Sequence, residues 1–172
     1  MKQLTIRDER PDDVAAIRHV NEEAFGQPQE ARLVDSLRAS GGVVLSLVAS
    51  VGDRIVGHIL FSPVTLESGS ASHGGVGLGP MAVLPSVQRH GVGSLLVAEG
   101  INRLRESGHP FVVVLGHPEF YPRFGFVPAS HYRVTCQMDV PDDAFMLLAL
   151  DESRASALAG VARYREEFAT VT

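Results

Sequence analysis

The chain has little cysteine: a single residue, Cys136, in 172. One thiol excludes an internal disulfide and any zinc site built on several cysteines. Its strand-like, motif-free surroundings read as a buried thiol, not a nucleophile. No stretch approaches the ~18 consecutive apolar residues of a membrane-spanning helix. The opening Met1-Lys-Gln-Leu-Thr-Ile-Arg-Asp lacks the apolar centre of a signal peptide, so a cytoplasmic protein off the membrane is expected. Positive charge is also short: 15 Lys and Arg against 20 Asp and Glu give a net charge of −5, which argues against a nucleic-acid surface. A polyanionic ligand would have to be held by local amides and a few cations. No Gly-x-x-x-x-Gly-Lys-Ser/Thr loop, no third glycine of a dinucleotide fingerprint and no Gly-x-Ser-x-Gly elbow occurs. What remains, 45% apolar and 20% charged residues, is the composition of a globular chain long enough for a sizeable core.

One stretch organises the rest. Leu78, Met81, Val83 and Leu84 are strand-like, Pro85 stops the strand, and Ser86 to His90 read as a turn. From Gly91 the apolar period becomes helical, with Gly93, Leu96, Val97, Gly100, Ile101 and Leu104 on one face. A helix opened by Gln88-Arg-His-Gly-Val-Gly93 presents backbone N–H groups without intrahelical partners, and glycine lets a ligand come close to them. Amides and helix dipole together suit a phosphate or pyrophosphate.

Around this unit the chain reads as βαα, three strands, α, β, α and a closing hairpin. Pro11 opens a first helix with Val14, Ile17, Val20, Asn21 and Ala24 on one face, Asn21 being placed toward a cleft. Gln29 to Ser40 form a second helix, stopped by Gly41-Gly42. Val43 to Val51 and Arg54 to Leu66 make a hairpin, and the small polar residues 67–75 a flexible loop. Phe111 to Leu115 is a central strand buried on both faces. Pro118 to Arg123 is a short helix or turn, Phe126 to Met138 one or two strands, and Ala144 to Leu150 the last. The tail, 151–172, is partly helical by composition. This predicts a three-layer α/β domain, a mixed sheet of six to seven strands with helices on both faces. It spans residues 1–150, with 151–172 an extension packed on it.

The run Gln88-Arg89-His90-Gly91-Val92-Gly93, preceded by Met81-Ala-Val-Leu-Pro85 and followed by Leu115-Gly-His-Pro-Glu-Phe-Tyr-Pro-Arg-Phe-Gly-Phe126, resembles the GNAT N-acetyltransferases, most closely their YhbS-like branch, over roughly residues 3–150. The resemblance implies transfer of an acetyl group from acetyl-CoA to an amine of a small molecule or protein. It implies that the pantetheine arm adds to the edge of the first splayed strand through the Met81 and Val83 backbone. A backbone N–H at Met81 or Ala82 meets the thioester oxygen, since Pro80 has none. Gln88, Arg89, His90, Gly91, Val92, Gly93 and Ser94 form the pyrophosphate anchor.

Tyr121 stands where the family often places a tyrosine near the cofactor sulfur, which makes it the candidate acid for the departing thiolate. The base is open. The segment Gly77-Leu-Gly-Pro-Met-Ala82 carries no carboxylate where many family members have one. Glu22, Glu23, His117 and Glu119 are the candidates by position, each with a solvated or structural alternative. His117-Pro-Glu119 resembles the His-x-Glu of zinc deaminases, but their Pro-Cys-x-x-Cys partner is missing, so no metal is expected. The missing carboxylate keeps open a second class, a non-catalytic acyl-CoA-binding or sensing module. A third is an interaction domain without cofactor. A homodimer is compatible with the sequence, which carries no sign of assembly.

Overall fold

The computed structural model describes residues 2–171, which fall into two compact units. The first takes in the chain up to Phe61, Pro80–Gly100 and the end from Glu166; the second takes in Ser62–Gly79 and Ile101–Arg165. Strands β3 (Arg54–Ser68) and β4 (Ala71–Val83) and helix α3 (Val92–Glu106) run through both.

In the first unit β1 (Leu4–Asp8) pairs antiparallel with β2 (Leu45–Val51), and β2 with the first half of β3, from Val51↔Arg54 to Leu45↔Phe61. The end of β4 is tied to β3 by the Leu84 amide, which donates to the Val56 carbonyl at 2.9 Å. Helices α1 (Val14–Phe25) and α2 (Gln29–Ser40) bury Ile17, Val20 and Asn21, and Ala31, Leu33, Val34 and Leu37 respectively. Pro11 opens a short 3-10 turn, Pro11–Asp13, before α1 starts at Val14. Gly41 stops α2 in the left-handed region at φ 76°, as its sequence position predicts.

Alternation along β3 sets the layers. A Cβ on Gly57 would meet Val92 Cγ1 at 3.0 Å and Leu96 Cδ1 at 3.1 Å, so α3 rides directly on this face. His58, one residue on, faces the other way and meets Asn21 of α1. Helices on both faces of a mixed sheet are the predicted architecture.

A polar seam runs beneath α1 and α2. Arg38 Nε and Nη2 donate to Glu9 at 2.9 Å each. Glu9 only accepts, so the Ser46 hydroxyl gives it its proton at 2.8 Å. His58 Nε2–H then donates to Ser46 Oγ at 2.9 Å, and Asn21 Nδ2 donates to His58 Nδ1 at 3.2 Å and to the Ile17 carbonyl at 3.0 Å. Asn21 is thus wholly buried, not at a cleft, and its Oδ1 has no hydrogen-bond partner among the described residues. Burial alone would push the Glu9 carboxyl up; the Arg38 guanidinium and the Ser46 hydroxyl outweigh it and hold it below its ordinary range. Burial likewise pushes the His58 imidazole down to about 4 from 6.5, against the Glu9 charge and with the Arg38 charge.

The unfolded chain therefore binds a proton at His58 that the folded chain refuses between pH 6.5 and about 4. The stability due to neutral His58 is complete above pH 6.5 and is lost as pH falls through that window. About 2 kcal/mol should be gone by pH 5, at 1.36 kcal/mol per unit. Urea unfolding at pH 7 and pH 5, on the native chain and on His58→Gln, checks this: the native chain should weaken by that amount and the variant should be flatter. Equal weakening in both would contradict the assignment.

In the second unit the strand order is β7-β9-β3-β4-β5-β8-β6, with β5 at Phe111–Leu115, β6 at Val127–Pro128, β7 at Val134–Cys136, β8 at Phe145–Ala149 and β9 at Gly160–Tyr164. Strands β4 and β5 run parallel through Val76↔Val112, Gly77↔Val113 and Leu78↔Val114; β5 and β8 run antiparallel from Phe111↔Ala149 to Leu115↔Phe145. Phe111 to Val114 are fully buried, as the apolar run predicts, whereas Leu115, at the strand's end, is exposed. One sheet face packs Phe111, Val113, Phe145 and Leu147 against Val134, Leu158 and Ala162.

Two expectations are corrected here. The segment 67–75 is no flexible loop: β3 runs to Ser68 and β4 begins at Ala71, leaving a tight turn at Gly69-Ser70. Small polar side chains signal exposure, whereas pairing is made by the backbone. The tail carries its helical part as 3-10 turns at Glu152–Ala157 and Glu166–Val171, and between them it forms strand β9, which its composition does not announce. Gly160 lies so close to the Glu67 carbonyl that a Cβ would collide with it. With β9 and the very short β6 and β7, nine strands occur among the described residues instead of six or seven.

Candidate active site

Strand β4 delivers the organising stretch. Its parallel ladder with β5 ends at Leu78. Gly79, at φ 146°, and Pro80, which has no N–H, follow within β4, where no pairing with β5 continues. Met81–Val83 continues in the first unit with Ala82 buried and Met81 and Val83 half-buried. A 3-10 turn, Pro85–Val87, follows, where the proline predicts the stop. The Gln88 side-chain amide then donates to the Val83 carbonyl at 2.9 Å. Gln88 therefore braces the turn onto the strand, and the Val83 carbonyl already carries one partner.

Arg89 adopts φ 65° and Gly91 φ 85°, both left-handed. This reversal brings the chain into α3, whose first backward hydrogen bond runs from the Leu95 amide to the Gly91 carbonyl at 3.1 Å. The Val92 and Gly93 amides precede that bond, in the turn where a helix has no i−4 carbonyl to offer. A Cβ on Gly91 would find no atom within 4 Å. The glycine is thus required by its backbone angle, not by packing. His90 Nδ1 lies 3.3 Å from the Val87 carbonyl, to which it donates. Free amides at the positive end of a helix dipole are the arrangement that favours an anion.

In the second unit β5 ends at Leu115, and the chain turns through Gly116–Phe120 into a 3-10 turn at Tyr121–Phe124. The His117 carbonyl accepts from the Phe120 amide at 3.1 Å. Tyr121 is buried. Its ring packs edge-on to Phe120 and Phe126, with centroids at 5.0 and 5.6 Å, and covers Gly116, where any Cβ would run into it. Burial pushes its phenol up to about 12 from 10.0, so it keeps its proton at neutral pH.

The remaining candidates divide by place. Glu22 and Glu23 are exposed on α1, off its buried face; His117 and Glu119 are exposed on the turn that carries Tyr121. Among the described residues no group of three His, Cys, Asp or Glu is placed to hold a metal. The Asn21–His58 contact escaped the sequence reading, although Asn21 stood out as a polar break in an apolar stripe; His58, inside the run Ile55 to Phe61, gave no signal.

A mixed α/β chain whose third helix opens on a left-handed glycine and free backbone amides has the framework of many proteins that hold phosphorylated ligands. Comparison makes the class specific. Residues 5–129 match the family model described as an acetyltransferase (GNAT) domain, and the chain belongs to the GNAT acetyltransferase family. It is 34% identical over 166 residues to the uncharacterized N-acetyltransferase YhbS of Escherichia coli (strain K12), covering 96% of this chain and 98% of that one. A crystal structure of E. coli YhbS in complex with CoA superposes with a TM-score of 0.92 at 33% identity, covering 98% and 93%. A GNAT family acetyltransferase from Brucella melitensis, in complex with acetyl-CoA, gives a TM-score of 0.80 at 37% identity over 98% and 99%.

Proposed function

We propose that the protein is an acetyl-CoA-dependent N-acetyltransferase acting on a primary amine of a small molecule or protein by direct attack. The observation that carries the reading is the open cradle at Gly91, left-handed and unobstructed, at the mouth of α3. Its donor set suits a pyrophosphate: amides and a helix dipole, with Arg89 and His90 on the same turn. The CoA-bound relatives support the same ligand. Acetyl-CoA supplies the acyl group and a thiol leaving group.

The chain's own residues do the rest. The Met81 carbonyl and the Val83 amide pair with the pantetheine amides by strand addition. A Met81 or Ala82 amide meets the acyl oxygen as it gains charge. The amine nitrogen bonds to the acyl carbon, the carbon–sulfur bond breaks with its electron pair going to sulfur as thiolate, and the amine's surplus proton passes to solvent water. Tyr121 acts on that sulfur. Its phenol, at about 12, is too weak an acid to hand its proton outright to a thiolate near 8.5, a transfer uphill by about 5 kcal/mol. It acts instead as a hydrogen-bond donor that steadies the developing charge. No carboxylate stands in Gly77–Ala82, and that observation favours a second reading, an acyl-CoA sensor without turnover.

Acetyl-CoA at about 100 times its dissociation constant should raise stability by about 2.7 kcal/mol, read as a higher melting temperature. An unmoved melt sinks both readings. CoA-thiol release with an amine panel separates them: release identifies the transferase, and a melt shift without release identifies the sensor.

A further inference from the structure

The second unit holds a cavity of ≈ 230 Å³ that no residue of the proposed mechanism lines. Its floor is apolar, formed by buried Val134 and Phe145. Cys136 stands in its wall, and Asp139 and Asp142 stand at its rim. Among the described residues neither lysine nor arginine lines it, and the loop Gln137–Asp143 carries three aspartates and no base. An apolar floor under carboxylates selects an organic cation. The volume falls below the roughly 300–1,000 Å³ of drug-sized pockets, which points to a small molecule, not a polypeptide.

Its place in the unit matters as much as its lining. Phe145 sits opposite Leu115, the last residue of β5, and the Gly116 amide donates to the Ala144 carbonyl at 2.9 Å. The cavity therefore opens at the carboxyl end of the parallel β4–β5 pair, the end at which open α/β sheets bind ligands. Directly paired residues share a face and neighbours alternate. Phe145 and Leu115 thus face one side, while Gly116, with the Tyr121 ring packed on it, faces the other. The layer that carries Cys136 also carries Tyr164, whose ring lies where a Cβ on Gly77 of β4 would stand, 2.8 Å from its Cε1. The Tyr121 ring and the cavity therefore lie on opposite faces of the β5–β8 pair.

We propose that this cavity recognises the acceptor, a small primary amine whose aryl or branched alkyl body rests on Val134 and Phe145 and whose ammonium is met by Asp139 and Asp142. The inference rests on the acetyl-transfer reading above.

Cys136 is the chain's single thiol, a built-in reporter in the cavity wall. Its labelling by methyl methanethiosulfonate, followed by mass, is measured with and without phenethylammonium. With the probe at about ten times its dissociation constant, labelling should slow about tenfold by mass action. The double variant Asp139→Asn/Asp142→Asn should lose that protection while keeping the basal labelling rate and the acetyl-CoA melt shift. Phenethyl alcohol, the same body without charge, should protect less; equal protection by the alcohol would overturn ammonium recognition. A chain that shifts with acetyl-CoA but whose Cys136 labels at an unchanged rate overturns this inference alone and leaves the proposed function standing. Protection in a chain that acetyl-CoA does not stabilise overturns the acceptor role together with that function.

Discussion

Tyr121→Phe should lower kcat about 10²-fold, the loss typical of one donor to developing charge, and leave acetyl-CoA affinity and melting temperature nearly unchanged. The ring carries the packing: it lies edge-on to Phe120 and Phe126 and covers Gly116, and phenylalanine keeps all of that. Only the hydroxyl goes. Because burial holds the phenol near 12, the native kcat profile should show no tyrosine limb below about pH 10, where an unperturbed phenol would titrate. The measurement pairs kcat on a responsive amine with melting temperature, with and without acetyl-CoA. Unchanged turnover, with chemistry shown to be the slow step, removes Tyr121 from the mechanism. A lowered melting temperature with kcat intact makes it a packing residue. A partial fall means that product release shares control of turnover.

Gly91→Val should abolish the acetyl-CoA melt shift. Two effects act together and read out separately. At φ 85° a β-branched residue is strained, which lowers the melting temperature of the free protein. The branch also fills the open space at the cradle, where the glycine meets no atom of the chain, and denies a phosphate its approach to the amides. Gly91→Asn tolerates the left-handed angle better and should recover much of the free-protein stability while still weakening acetyl-CoA binding, because its side chain also occupies the approach. A folded Gly91→Val protein that keeps the full shift would show that the pyrophosphate is held elsewhere.

The strand, turn and helix of residues 77–104 were readable because their demands are local. A proline that ends a strand and a helical apolar stripe are written in adjacent residues, and the structure carries both. The central strand Phe111–Leu115 was readable for the same reason. What escaped depends on partners far along the chain. Strand β9 exists because β3 and β7 offer it edges, and nothing between Gly160 and Tyr164 announces that. A histidine such as His58 looks alike in sequence whether it sits in solvent or against Asn21, 37 residues away. The cavity between Val134 and Phe145 joins a strand, an acidic loop and a second strand, each of them unremarkable alone.

Gly57 sits on β3, far in sequence from any ligand-facing residue, yet it sets a mechanical tolerance. Val92 and Leu96 approach so closely that an added methyl would stand 3.0 and 3.1 Å from them, nearer than side chains ordinarily pack. The helix must lift by tenths of an ångström to admit it. Val92 lies in the first turn of that helix, so any such lift is passed to the amides proposed to meet the pyrophosphate. The bare backbone at Gly57 is the bearing on which the cradle rests, and its height is machined by the absence of a side chain.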